Sequence, residues 1–330
     1  MVSRRFVLAA IGAGTLAAPV TALTLQPPRI ARIGYLQPVT PENDTSRFLE
    51  DFRDGLRELG YIEGKNLELE IRWGAGKLER MPALAAELVR LKVDVIVAVS
   101  SPSVLAAKQA TRTIPIVMPL SSDPVGDGLV ASLARPGGNI TGLSLMTPES
   151  APKRLQLLKD VFPTMTHPVA VLWNPDYVGM QARYRQTEGA APAAGLAVRS
   201  VEIRDSRELE RALATLDRER PDALLLLADP LTLSQRLRIV EFATEERLPA
   251  IYEQSVFVDA GGLMSYGPDV DGLVRSAATY VDRILKGAKP ADLPIEQPER
   301  FELVINLRSA KALGVTFPQS ILVRADRIVE

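Results

Sequence analysis

The chain has 330 residues, 39 lysines and arginines against 40 acidic residues, and no cysteine. This balance leaves no basic excess to neutralise phosphates, which argues against a nucleic-acid partner. Without cysteine the fold depends on its core alone, and a lipid-modified cysteine anchor is excluded. Because the length exceeds what one hydrophobic core usually serves, we expect two lobes.

The first 22 residues have the features of an export signal. Positive charge at residues 3–5 precedes an apolar run over 6–18, and small residues at 20–22 suit a signal peptidase. The run is too short to span a bilayer comfortably, although an uncleaved anchor or a buried helix is the alternative. The paired arginines suggest the twin-arginine route, but Val7 stands where the strongest such signals have Phe. We therefore expect residues 1–22 to be a signal peptide and the mature protein to lie in the periplasm, without direct membrane insertion.

The first half of the chain alternates strands with helices. The run at 93–99 is almost continuously apolar, as in a buried parallel strand, and Ser101 with Pro102 marks the start of a helix. The segments predicted here are strands at 31–36, 67–71, 93–99 and 115–118, and helices at about 48–59, at 79–91 and from Ser101.

The same alternation restarts after a turn at 136–139. Four consecutive leucines within 223–228 indicate a second buried central strand. The segments predicted here are helices at 149–161, 178–190, 207–219 and 232–246, and strands at 169–173, 198–204, 223–228 and 249–252. Strands that alternate with helices imply parallel sheets joined by right-handed crossovers.

The last quarter of the chain is too short for a third domain. Strands at 262–265 and 301–307, a helix at 270–286 and a final segment at 321–329 are expected to return to the two lobes. The predicted fold is therefore α/β, with two Rossmann-like lobes, parallel sheets and a hinged cleft. We expect lobe 1 to comprise 28–143 with about 266–297, and lobe 2 to comprise 144–265 with about 298–330.

Polar residues follow the predicted strands, where open α/β sheets bind ligands. Each of them alone is also a suitable helix cap. The candidate ligand-binding residues are Gln37, Ser100, Ser101, Ser103, Ser121, Ser122 and Asp123 in lobe 1, and Asn174, Tyr177, Asp229, Glu253, Gln254 and Tyr266 in lobe 2.

Hydroxyl groups dominate the first set and carboxylates the second, which suits a zwitterionic ligand. The start of the helix that carries Ser103 is expected to receive a carboxylate, aided by the helix dipole. Asp229 or Glu253 is expected to pair with an ammonium group. Tyr177 and Tyr266 are candidates for aromatic walls.

The residue inventory argues against most enzymes. His167 is the only histidine, and it lies in a predicted loop, which makes a transition-metal cluster or a Ser-His-Asp triad improbable. The chain has no glycine-rich phosphate loop, and no cofactor is expected. A secreted hydrolase that uses cleft carboxylates, such as Asp123 with Asp229, remains an alternative. The ligand-sensing domain of a signalling system is another.

Several blocks of the sequence resemble the periplasmic substrate-binding components of ABC transporters, in the group that includes tryptophan- and tyrosine-associated binding proteins. These blocks are IGYL at 33–36, FRDGLRELGY at 52–61, IPIV at 114–117, DPVG at 123–126, RPGGNITG at 135–142 and AKALG at 310–314.

The resemblance spans essentially the whole mature chain and implies a type I periplasmic binding-protein fold. It implies capture of a small ligand for import, delivery to the permease subunits of an ABC transporter, and no catalysis. It places ligand contacts in the loops that hold Ser100–Ser103, Ser121–Asp123, Asn174, Asp229 and Glu253. It does not fix the ligand. We expect a monomer whose two lobes close on an amino-acid-like or aromatic carboxylate.

Overall fold

The computed structural model of the protein describes residues 30–40, 47–145, 150–177 and 179–330. The predicted signal peptide at 1–22 lies outside these residues. The described chain forms two β-sheets with helices on both faces, which confirms the predicted α/β class. Within these ranges, no helix combines the length and apolar character needed to cross a membrane.

Lobe 1 is built on a five-stranded parallel sheet in the order β2-β1-β3-β4-β5. Its central strands are fully buried, as the apolar run at 93–99 predicts. The bounds of its first elements are β1 Ala31–Gln37, α1 Phe48–Glu58, β2 Leu67–Trp73, α2 Met81–Arg90, β3 Val95–Ala98, α3 Ser101–Ala110, β4 Ile116–Ser121 and β5 Ile140–Ser144.

Lobe 2 is built on a seven-stranded sheet, and the chain enters it after β5. The bounds of its elements up to residue 268 are α4 Ser150–Val161, β6 Val169–Trp173, α5 Met180–Ala190, β7 Val198–Glu202, α6 Ser206–Glu219, β8 Ala223–Leu226, α7 Pro230–Ser234, α8 Arg236–Glu245, β9 Ala250–Tyr252, α9 Val256–Asp259 and β10 Met264–Pro268.

The chain then returns to lobe 1 as α10, which spans Val270–Leu285 and packs along α1. The two helices approach closely at Gly55, where a Cβ atom would lie 2.5 Å from the carbonyl oxygen of Arg275. The later elements are β11 Phe301–Asn306, α11 Leu307–Leu313, α12 Gln319–Leu322 and β12 Arg327–Val329. Strands β11 and β12 complete the seven-stranded sheet, whose order is β12-β11-β10-β9-β8-β6-β7.

The second sheet is not wholly parallel, contrary to the prediction of parallel sheets. Strand β11 runs antiparallel to β10, with Tyr266 opposite Leu303. The reason lies in the chain path. Strand β10 ends at the hinge, the chain passes through lobe 1 as α10, and it re-enters lobe 2 from that same hinge side, so β11 must run in the opposite direction.

Sequence reasoning also missed some short elements and predicted one helix where the structure has two. Strand β5 is a short segment with Gly142 at its centre, and sequence reasoning missed it. Helix α11 was missed as well. The predicted helix at 232–246 is two helices, because Asp229 caps α7 through Thr232 and a second helix begins after Gln235.

Candidate functional site

The topology of each sheet creates a crevice between two neighbouring strands whose connections leave in opposite directions. In lobe 1 this switch lies between β1 and β3, and in lobe 2 between β6 and β8. Ligands of open α/β sheets bind at such points, outside the carboxyl ends of the strands. Gln37 is the last residue of β1, Ser100 follows β3, and Asn174 and Asp229 follow β6 and β8.

The two crevices face each other across a cavity. Lobe 1 lines it with Gln37, Pro38, Val39, Phe48, Val99, Ser100, Leu120, Ser122 and Leu145, and lobe 2 with Tyr177, Arg183, Ala228, Asp229, Pro230, Leu233, Arg236, Gln254 and Val256. A second cavity shares Ser122, Leu145, Arg183 and Gln254 with the first and continues the cleft. Most of the wall is apolar, as is usual for a small-molecule site.

The predicted ligand-binding residues divide into three groups in the structure. Those that line one or more of the cleft cavities are Gln37, Ser100, Ser122, Asp123, Asn174, Tyr177, Asp229, Glu253 and Gln254. Ser101, Ser103 and Ser121 are fully buried beneath this surface. Tyr266 stacks on Phe301 with ring centroids 5.9 Å apart, and it does not line these cavities.

The buried serines form the floor of the cleft in lobe 1. The Oγ atom of Ser101 lies 3.3 Å from the Oγ atom of Ser121 and accepts a 3.3 Å hydrogen bond from the backbone N–H of Ser122. The Oγ atoms of Ser100 and Ser103 are 3.4 Å apart. These contacts hold Ser100 and Ser122 in position at the cavity surface.

Ser100 also has an unusual backbone conformation. Its φ of 81° is one that residues with a side chain rarely adopt, and such strain is often found at binding sites. Helix α3 begins at the next residue and has no side-chain cap. The positive end of the α3 dipole therefore faces the cleft, and it favours a negatively charged ligand group.

Asp229 is a buried carboxylate that lines the cavity without a cation of its own. It is 3% exposed. Its Oδ1 accepts a 2.8 Å hydrogen bond from the backbone N–H of Thr232, and its Oδ2 accepts one of 2.8 Å from the Asn174 amide. Burial raises the pKa of Asp229, against the effect of these hydrogen bonds. None of the described residues forms an ion pair with it.

Glu253, the alternative to Asp229 as the partner of an ammonium group, has a different environment. It forms ion pairs with Arg154, at 2.8 Å, and with Arg183, and it accepts a 2.8 Å hydrogen bond from the backbone N–H of Ala228. Burial opposes its ionisation, but the two guanidinium groups hold its pKa below the ordinary value. Both carboxylate oxygens of Glu253 already contact guanidinium groups. Glu253 therefore holds Arg154 and Arg183 in position in the cleft wall.

Sequence reasoning missed the arginines of the site. Arg154 lies on α4, Arg183 on α5 and Arg236 at the start of α8, so all three are carried by helices and not by strand ends. The apolar wall was missed as well, with Phe48 at the start of α1 as its largest member. Helical periodicity predicts the helices that carry these residues. It does not identify them as site residues, because they do not lie at the end of a strand.

Several contacts join the two lobes across the cleft. Burial raises the pKa of Tyr177 in lobe 2, and the Ser100 side chain of lobe 1 acts in the opposite direction. Gly179, in the left-handed conformation at the start of α5, lies so close to lobe 1 that a Cβ atom would be 3.0 Å from Oδ1 of Asp127 and 3.2 Å from the Cβ of Ser122. The cleft is therefore closed at this side.

His167 lies far from this site. It precedes β6, at the opposite end of the strand from Asn174, and its side chain is 66% exposed with Nδ1 3.1 Å from Asp222. Among the residues that the structure describes, no group of three or more His, Asp or Glu side chains could hold a metal ion.

Comparison with known proteins agrees with this geometry. The model of the family described as ABC transporter substrate binding protein matches residues 39–329. The tyrosine-binding protein of Clostridioides difficile is 30% identical over 264 residues, which cover 80% of this chain and 75% of that protein.

Two solved structures differ in how well they superpose on the chain. A domain from Streptococcus pneumoniae in complex with L-Trp has a TM-score of 0.84, with 27% identity over 91% of this chain and 99% of its own. A substrate-binding protein from Clostridium difficile, in a ligand-free open structure, has a TM-score of 0.67 at the same 27% identity, over 91% of this chain and 99% of its own. At equal identity, the chain superposes better on the L-Trp complex than on the ligand-free open structure.

A two-lobe α/β fold with a ligand cavity at facing switch points defines a solute-binding protein of the type I periplasmic class. The chain belongs to the ABC transporter substrate-binding protein family. Members of this family bind small ligands, work with ABC permeases, and are typically periplasmic or extracellular.

Proposed function

We propose that this protein captures an amino acid between its two lobes in the periplasm and delivers it to the permease subunits of an ABC transporter. In this proposal Asp229 pairs with the ammonium group of the ligand, held in place by Asn174. The hydroxyls of Ser100 and Ser122 and the start of α3 bind the carboxylate. Phe48 and Tyr177 pack against the ligand side chain.

The observation that carries this proposal is the state of Asp229. A carboxylate that is 3% exposed and has no cation among the described residues is costly to keep ionised. A ligand ammonium group in the cavity would supply the missing charge and would favour ionisation. Because Asp229 belongs to lobe 2 while Ser100 and Ser122 belong to lobe 1, a ligand that contacts all three would bias the lobes toward closure.

Two further observations support the amino-acid class. The relatives include a tyrosine-binding protein and a domain crystallised with L-Trp, and the chain superposes better on that complex than on a ligand-free open structure. The cavity also combines an apolar wall with a few polar groups, which suits an amino acid with a large side chain.

The proposal includes an export step and no reaction. The charged start and apolar run of residues 1–22 support export, with the twin-arginine route suggested by the paired arginines. The remote position of His167 supports binding without catalysis. We propose that the protein acts as a monomer. Its two lobes would close around one ligand.

Mass spectrometry of the small molecules released from freshly purified, denatured protein tests the ligand class. We expect an intact amino acid, and calorimetric titration with L-tryptophan and L-tyrosine should show binding to the emptied protein. Release of a sugar or a metal ion would contradict the proposal. Recovery of a cleaved product would favour the hydrolase alternative.

A further inference from the structure

Among the described residues, two arginines line the main cavity, Arg183 and Arg236, and the proposed contacts to the ligand ammonium and carboxylate groups use neither. Arg236 lines the main cavity and is 8% exposed. Its Nη1 donates a 3.0 Å hydrogen bond to the carbonyl oxygen of Leu233, a local backbone contact. No carboxylate of the described chain lies within ion-pair distance of it, and burial lowers its pKa.

The other arginines of the cleft differ in this respect. Arg154 and Arg183 both pair with Glu253, whose two oxygens they share. A buried guanidinium that lacks an anion is unfavourable, whereas a paired one is compensated. Among the described residues, therefore, no anion compensates the positive charge of Arg236 in this cavity wall.

The stability of helix α8 does not explain why an arginine lies at its first position. Arg236 is the first residue of α8, and no acidic residue lies in the first turn of that helix. A positive charge at a helix N-terminus opposes the helix dipole. A ligand anion beside Arg236 would be favoured both by the guanidinium and by that dipole.

Arg236 also lies apart from the proposed ammonium subsite. It forms no ion pair with Asp229, and burial alone accounts for the direction of its pKa shift. Asp229 caps the start of α7 and Arg236 begins α8, so the whole of α7 lies between them in the chain, and Pro230 and Leu233 of α7 line the cavity.

We propose that Arg236 is a specificity-determining residue that binds a carboxylate at the end of the ligand remote from its ammonium group. The inference rests on the proposed function, and it narrows the substrate class to an amino acid with a second acidic group beyond an apolar spacer. A planar guanidinium binds a carboxylate through two parallel hydrogen bonds, which gives direction as well as charge.

The test compares L-phenylalanine with 4-carboxy-L-phenylalanine by calorimetric titration. We expect the added carboxylate to raise the affinity of the unmutated protein by roughly tenfold or more, the gain of one charge-assisted contact. Arg236→Gln should abolish that gain, so that the ratio of its affinities for the two amino acids falls to about one. Arg236→Lys should restore only part of it, because an ammonium group cannot reproduce the paired geometry.

Arg238→Gln is the matched control. Arg238 lies on the same helix, but it is only partly buried and pairs with Glu210 at 3.0 Å, so this variant should keep the full gain. The inference would be overturned if the unmutated protein bound both amino acids equally, or if the gain persisted in Arg236→Gln. Either result would leave the proposed function standing. Failure of the unmutated protein to bind either amino acid would overturn both.

Discussion

The side-chain amide of Asn174 donates a 2.8 Å hydrogen bond to Oδ2 of Asp229, and this bond links the ends of β6 and β8. The other oxygen of Asp229 is fixed by the backbone of Thr232 at the start of α7. The carboxylate is therefore oriented before any ligand arrives. A preorganised group of this kind lowers the entropic cost of binding.

Asp229→Asn should separate ligand binding from stability. Asparagine caps a helix as well as aspartate does, and burial raises the pKa of Asp229, so the ionised form is the less favoured one in the folded protein. We expect affinity for an amino acid to fall by about 10- to 100-fold, as for the loss of a charge-assisted contact. Calorimetry and urea unfolding measure the two effects, and the free energy of unfolding should be unchanged or slightly higher.

Asp205→Asn is the control for that variant. Asp205 caps α6 in the same lobe by accepting a hydrogen bond from the backbone N–H of Glu208, but it is not among the residues that line the main cavity. Its replacement should leave affinity unchanged. A similar loss of affinity in both variants would refute the assignment of Asp229 to the ammonium group.

Glu253→Gln should destabilise the protein strongly. The substitution leaves two arginines without their anion, and removal of one partner of a buried ion pair typically costs about 3–5 kcal/mol. Glu210→Gln, which breaks the exposed pair with Arg238, should cost about 1 kcal/mol or less. Urea unfolding at neutral pH compares the two, and equal small losses would contradict the organising role of Glu253.

The same ion pairs give a pH dependence with a definite sign. The two guanidinium groups hold the pKa of Glu253 below its ordinary value despite burial. Its contribution to stability is therefore full above the unfolded pKa of about 4.3 and is lost as the pH falls through the lower folded pKa. In Glu253→Gln this part of the acid destabilisation should be absent from unfolding curves recorded between neutral and acidic pH.

Gly179→Ala should disfavour closure of the lobes. Its Cβ atom would meet Asp127 and Ser122 of lobe 1. Gly195 has a similar left-handed conformation, with φ of 66°, but a Cβ atom there would meet nothing within 4 Å. Both substitutions should cost about 1–2 kcal/mol of stability through backbone strain. Affinity should fall several-fold only in Gly179→Ala, and equal affinities of the two variants by calorimetry would argue against the contact.

Asp127→Asn should change stability at neutral but not at acidic pH. Burial raises the pKa of Asp127 to about 6, with the negative charge of Asp123 adding to the effect and the Ser101 hydrogen bond opposing it. The stabilisation by its protonated form is therefore full below about pH 4 and is lost as the pH rises through 6. Because the side chain is only half-buried, we expect a gain of about 1 kcal/mol for Asp127→Asn at pH 8 and none at pH 4.

Thermal or urea unfolding at the two pH values measures this difference. Asp292→Asn, at an exposed position, is the control and should show no such change. A gain for Asp127→Asn that is equal at both pH values would show that the buried charge is not its cause.

Much of this architecture was predictable because it depends on local patterns. The apolar run at 93–99 and the leucines of 223–228 could only be buried central strands, and the polar residues after them had to lie at the carboxyl edge of a sheet. Ser100 and Asp229 were found in this way. Glu253 was also found, but its partners were not, since the contact with Arg154 depends on how α4 packs against the sheet.

The sequence by itself determined the fold class, the two-lobe plan and the edge of each sheet where polar groups gather, because hydrophobic periodicity and strand ends are local properties. Only the tertiary structure decided which charges are compensated. It pairs Glu253 with two arginines and leaves Asp229 and Arg236 unpaired in the described chain, because ion pairing depends on distances between residues far apart in sequence.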